Sequence, residues 1–153
     1  MMIRPTLTIT WNNEMDVGIP EIDEDHKPVI ILINEFNRSI TEGKSPAEIK
    51  LKLQYILEET KRHFSQEEKL FDEWQYSDSA GHTKIHAHIL KALQGIMEGF
   101  IPYGFDSSWI QTGVRIKKIL LDHFINEDVK YAEFIKISPN RKSCPATYLN
   151  ELE

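Results

Sequence analysis

Five of the six histidines in this chain fall inside apolar stripes that recur at steps of three and four residues along four separate stretches of sequence. Steps of three and four put side chains on one face of an α-helix, so each stretch reads as an amphipathic helix with a buried face. A fold for this chain must bury four such faces against one another. It must also find partners for the imidazoles buried with them. No strand signal competes with these helices.

The first stripe runs through Ile22, Val29, Ile33, Phe36 and Ile40, with His26 filling the gap. Gly43 ends it, and Ser45-Pro46 supplies an N-cap followed by proline at the first helical position. A second helix is expected from about Pro46 to Trp74, with Ile49, Leu53, Ile56, Thr60, His63, Glu67, Leu70 and Trp74 on its stripe. The third follows Gly81 and carries His82, His86, Ile89, Leu93, Ile96 and Phe100, until Pro102 and Gly104 interrupt it. The fourth begins near Asp106-Ser107-Ser108 and shows Trp109, Gly113, Ile116, Ile119 or Leu120, His123, Glu127, Tyr131 and Phe134. Short connections favour antiparallel neighbours, so the expected fold is all-α: an antiparallel up-down-up-down four-helix bundle.

At 153 residues the chain has the length of one domain with a self-sufficient core. Residues 1–20 contain Pro5, Gly18 and Pro20 with the anchors Trp11 and Ile19, and are expected to form a non-helical N-terminal arm across the bundle. Arm and helices together make one domain over residues 1–137. Residues 138–153 turn to breakers and polar residues with a weak apolar return at Tyr148, Leu149 and Leu152, and read as a C-terminal tail. Its Cys144 is the single cysteine, which leaves no internal disulfide and no Cys-x-x-Cys metal site.

A formal charge of -6 without a clustered Lys/Arg surface argues against nucleic acid as a partner. The longest aliphatic run, Val29 to Ile33, is far short of the roughly 20 apolar residues a membrane span requires, and the first residues lack the pattern of a secretory signal. A cytoplasmic protein with no membrane partner is therefore expected.

One buried histidine can satisfy its ring nitrogens with backbone groups; five spread over four helices, with acidic residues in register, call for metal instead. His63 and Glu67, and likewise His82 and His86, are four apart, about 40° apart in direction and about 6 Å apart along the axis, so each pair can share one metal site. Glu68 points about 100° away from Glu67 and reads as a solvated neighbour, while His88 lies about 160° around from His86 and reads as a surface residue. His123 and Asp128 are five apart, which an ideal helix would separate by about 140°. Either the helix widens there to an i to i+5 turn, a feature frequent at functional sites, or the Asp128 side chain reaches back in a bent conformation. Imidazole and carboxylate ligands suit iron, zinc, manganese or copper alike. Seven donors exceed the needs of a four-coordinate zinc and suit two adjacent octahedral ions, bridged by two carboxylates and with one position unfilled. No Glu-x-x-His or His-Glu-x-x-His motif is present.

These motifs resemble the haemerythrin family: a Trp-containing arm, Val-Gly-Ile-x-x-Ile-Asp-x-x-His at 17–26, His-Phe-x-x-Glu-Glu at 63–68, His-x-x-x-His at 82–86 and His-x-x-x-x-Asp at 123–128. The likeness runs from residue 11 to about 134. It implies a non-haem di-iron centre in which His82, His86 and His123 bind one iron and His26 and His63 the other, with Glu67, Asp128 and an oxo or hydroxo group as bridges. The second iron keeps an open position for molecular oxygen. By the same likeness Val29, Phe64, Ile119, Leu120 and Phe124 line an apolar oxygen pocket. Two departures stand out: Ile119 occupies a position where the family commonly has Trp, which implies a roomier pocket, and Asp25 stands where Gln or Glu is frequent, a change expected to leave the ligands untouched. The implied function is reversible oxygen binding for storage, delivery or sensing, not catalysis, by a monomer or small oligomer with an oxygen-requiring enzyme as recipient. The alternatives are a di-iron oxidase or peroxidase, and iron storage or detoxification.

Overall fold

The first stripe folds as α1 (Pro20–Thr41) in a computed structural model of the chain, which describes residues 9, 10, 15, 18–99 and 107–137. Pro28 lies inside this helix on its exposed side. An interior proline costs about 3 kcal/mol. Val29, Ile33, Phe36 and Ile40 are each fully buried, and at about 1.5–3 kcal/mol per large apolar side chain they outweigh that cost. Gly43 then takes φ +68°, a left-handed conformation that glycine adopts without steric penalty, and the chain turns. Helix α2 (Pro46–Glu73) starts as its sequence indicates, with Pro46 in the first turn and the Ser45 hydroxyl accepting the Glu48 amide at 3.2 Å.

Helix α3 (Ser79–Glu98) begins slightly ahead of Gly81. A Cβ on residue 81 would stand 2.4 Å from Asp78 Oδ1, so a larger residue there would require the Asp78 side chain to swing aside. Phe100 and Asp106 lie outside the described residues. The last rod is α4 (Ser107–Asp122), a π-helical turn (His123–Glu127) and α5 (Asp128–Ile137) in succession. Among the described residues, α1 packs on α2 and α4, and α3 packs on α2 and α4, so the four rods close a bundle. None of the described helices is long and apolar enough to cross a membrane.

Of the arm, Ile9 and Ile19 are buried, and Ile9 is tied to α1 through both of its backbone groups. Its N–H donates to Asn34 Oδ1 at 2.7 Å and its carbonyl accepts from Asn34 Nδ2 at 2.9 Å. Trp11, Cys144 and the whole tail from 138 to 153 lie outside the described residues.

The π-helical turn corrects the fourth stripe. Five residues rather than four make the turn, so the inward position passes from Glu127 to Asp128 and continues through Tyr131, Ala132 and Ile135. Glu127 is left facing Lys130 Nζ at 3.3 Å on the outside.

The core is divided in two. One cluster gathers Val29, Ile33, Ile56, Phe64, Ile89, Leu93, Ile116, Leu120 and Phe124 with others. The second gathers Ile19, Ile22, Leu70, Phe71, Trp74, Tyr76, Tyr131, Ala132 and Ile135. Helices α1 and α2 and the last rod contribute to both clusters and α3 to the first alone, and five buried histidines, Glu67 and Asp128 sit at the crossing between them.

Candidate metal centre

The seven residues singled out in the sequence come together at this crossing. His26 is supplied by α1, His63 and Glu67 by α2, His82 and His86 by α3, His123 by the π-helical turn and Asp128 by the first position of α5. None is more than 3% exposed. Asp128 has three imidazoles around it: His26 Nε2 at 2.8 Å, His82 Nε2 at 3.0 Å and His123 Nε2 at 3.1 Å. Glu67 has His63 Nε2 at 3.0 Å, His82 Nε2 at 3.3 Å and His86 Nε2 at 3.9 Å.

Two sets of donor atoms result, each with all members within 4.8 Å of one another. One set is Glu67, His82, His86, His123 and Asp128; the other is His26, His63, Glu67 and Asp128. Both carboxylates belong to both sets.

Many of these close approaches lack the alignment of hydrogen bonds. His26 Nε2, His63 Nε2, His86 Nε2, His123 Nε2, both Glu67 oxygens and Asp128 Oδ2 are buried without a hydrogen-bond partner. Each orphaned buried polar atom costs about 1–3 kcal/mol, so a set this large would consume a stability of about 5–15 kcal/mol unless something else engages the lone pairs. A cation does so. The donor chemistry, imidazole with carboxylate, fits a first-row transition metal.

Without metal, protons take that role. Burial works to lower the His63 pKa, but Asp25 and Glu67 beside the ring outweigh it and push it up to about 10. His82 is likewise raised to about 9, with Asp128 and Glu67 overcoming burial. His86 falls to about 3, chiefly through burial. Burial tends to raise Asp128, yet His123, His26 and His82 hold it well below the ordinary carboxylate range. Glu67 is also lowered: burial and the Asp128 charge push upward, and His63 and His82 prevail.

Apolar rings close over the donors. Phe124 stacks on His26 with centroids 4.0 Å apart and an interplanar angle of 12°, and Phe64 stacks on His86 at 3.8 Å and 4°. Val29 and Leu120 are fully buried beside them in the same cluster. Ile119 differs from these four. It is partly exposed and, with Lys84, Ile85, His88, Ile89 and Ala92, lines a surface groove of about 450 Å³ between α3 and α4. His88 is exposed, as its angular position indicates.

Two acidic residues behave otherwise than expected. Asp25 does not leave the ligands untouched: it is buried, and its Oδ2 accepts from His63 Nδ1 while Oδ1 accepts from Arg62 at 3.0 Å. Arg62 also donates to Glu59 Oε1 at 2.7 Å. Burial alone would raise the Asp25 pKa, but His63 and Arg62 lower it, so the carboxylate is ionised. Glu68 is not merely solvated either, since its Oε1 lies 3.3 Å from His86 Nδ1. A helix-face angle describes where a side chain leaves its own helix, and both contacts are made across to another helix. The lone signal in the sequence was that Asp25 immediately precedes His26.

A family model described as Hemerythrin HHE cation binding domain matches residues 17–135. Among curated proteins, the Bacteriohemerythrin of Pseudomonas aeruginosa (strain LESB58) is 27% identical over 130 residues, 85% of this chain and 83% of its own length. The Hemerythrin-like protein of Naegleria gruberi is 29% identical over 124 residues, covering 79% of this chain and 88% of itself. The Myohemerythrin of Sipunculus nudus is 30% identical over 121 residues, with the same two shares, 79% and 88%.

Proposed function

The chain belongs to the haemerythrin family, and from that premise we propose that it binds molecular oxygen reversibly at a non-haem di-iron centre. The observation that carries this reading is the inequality of the two donor sets, which share Glu67 and Asp128 but number five residues and four. Shared carboxylates suit two bridged cations, and the smaller set leaves one of them with a position for a small ligand. His82, His86 and His123 are assigned to one iron, His26 and His63 to the other, and Glu67 and Asp128 to both.

Two ferrous ions held by these residues would supply electrons to dioxygen on binding and recover them on its release. The remainder is done by the chain. Asp25 and Glu68 accept the Nδ1 protons of His63 and His86, which fixes those tautomers and turns Nε2 inward. Val29, Phe64, Leu120 and Phe124 keep water from the donors, and a dry pocket protects iron from irreversible oxidation. Ile119, partly exposed in the groove between α3 and α4, is assigned to the less sheltered side of that wall.

The test is anaerobic reconstitution with ferrous iron followed by exposure to oxygen. Two irons per chain and a visible absorption band that vanishes on deoxygenation are expected; a protein that stays colourless overturns the reading. The same experiment separates the alternatives. Sustained oxygen consumption with a reductant marks an oxidase or peroxidase, and iron uptake far beyond two per chain marks storage.

A further inference from the structure

The α2 stripe places one polar residue that is not a metal donor among the apolar side chains next to the centre. Thr60 is 1% exposed, and its Oγ1 has no hydrogen-bond partner. It precedes His63 by one helical turn and Glu67 by two, on the face both of them occupy. Helical side chains lean toward the N-terminus of their helix, so His63 and Glu67 lean over the turn that carries Thr60. The cluster on this side of the donors is apolar, with Val29, Ile56, Phe64 and Leu120 among its members.

A buried hydroxyl in a helix ordinarily satisfies itself on the carbonyl one turn back. Ser39 does this here, donating to the Glu35 carbonyl at 2.8 Å, and even the exposed Thr41 donates to the Arg38 carbonyl at 3.1 Å. Thr60 has made no such bond, although Ile56 offers it a carbonyl at the same spacing. An idle hydroxyl in a dry cluster is costly, and valine would fill the same volume without that cost.

We propose that Thr60 is a positioning residue for the small ligand: its hydroxyl donates a hydrogen bond to whatever anionic or polarised molecule occupies the open position beside His26 and His63. The inference rests on the di-iron reading above and adds a specificity element to it. A neutral apolar molecule of the same size gains nothing from Thr60, whereas a ligand that carries negative charge when bound is retained longer.

Azide serves as the probe, bound to the iron-loaded, oxidised full-length protein and followed by its visible charge-transfer band. In Thr60→Val, azide dissociation is expected to be about tenfold faster, the range of one hydrogen bond to a charged acceptor in a buried site. Thr60→Ser should return it to within about twofold of the original rate, because the donor is restored. The metal-free Thr60→Val protein should unfold at an equal or higher denaturant concentration, which rules out a damaged fold as the cause. If Thr60→Val is more stable and releases azide at the unaltered rate, the hydroxyl is a packing defect and the inference is overturned. If the unaltered protein binds iron but gives no azide band, the open position itself is refuted, and the di-iron oxygen-binding reading falls together with this one.

Discussion

His123 Nε2 lies 3.1 Å from Asp128 Oδ1 although the two residues are separated by a full π-helical turn. The widened turn brings a fifth-neighbour carboxylate under its own helix's imidazole, and from there Asp128 also meets His26 of α1 at 2.8 Å and His82 of α3 at 3.0 Å. One carboxylate thus joins three of the four rods.

Because Asp128 belongs to both donor sets, Asp128→Ala is expected to abolish loading at both positions, leaving less than one iron per chain. His26→Ala removes a donor from the smaller set alone and should leave about one. Iron content after gel filtration of the two variants checks this, and equal losses would refute the shared-carboxylate assignment.

The metal-free protein should have a stability maximum at about pH 6 to 7. His63 and His82 have folded-state pKa values raised from 6.5 to about 10 and about 9, so their contribution is complete below pH 6.5 and is lost as pH rises through 9 to 10. His86 is lowered to about 3 and Asp128 lies below its ordinary range, so their contributions are lost as pH falls into the acid region. Iron displaces the His63 and His82 protons, so the alkaline loss should vanish in the loaded protein. Urea midpoints from pH 4 to 10, with and without iron, measure both effects.

Asp25→Ala leaves the His63 Nδ1 proton buried and unpaired. Loss of such an outer partner typically lowers metal affinity by about 10- to 100-fold. The expected outcome is release of one iron to a chelator well before the other, while circular dichroism shows the helices intact. Simultaneous release at the original rate would mean that Asp25 does not orient His63.

Ile119 lines the α3–α4 groove and is the partly exposed member of the pocket set. Filling that side with Ile119→Trp should slow autoxidation several-fold, read as the decay of the oxygenated absorption band in air-saturated buffer. An unchanged rate would show that water reaches the iron by another path.

Much of the fold and the donor set can be read along the chain. The stripes of α1 and α2 and six of the seven convergent residues follow from angular steps of about 100° per residue, the Ser45 cap and the Gly43 stop follow from local turn chemistry, and Asp128 is implied by the family resemblance alone. The five-residue step from His123 to Asp128 announced a distortion, although it left open whether backbone or side chain would bend. Regular periodicity carried across the step puts Glu127 inside, whereas the widened turn turns Asp128 inward.

The relations between helices were decided by packing. Periodicity says which residues of one helix face inward, because all of them turn about the same axis. It says nothing of the rotation of one rod against the next or of the rotamers at their contact. Hence the choice of six donors and the expectation of a distortion after His123 are local arithmetic, whereas other features arose only when four rods closed around one polar layer. Those features are the Asp25 and Glu68 contacts to imidazole, the groove at Ile119 and the idle Thr60 hydroxyl.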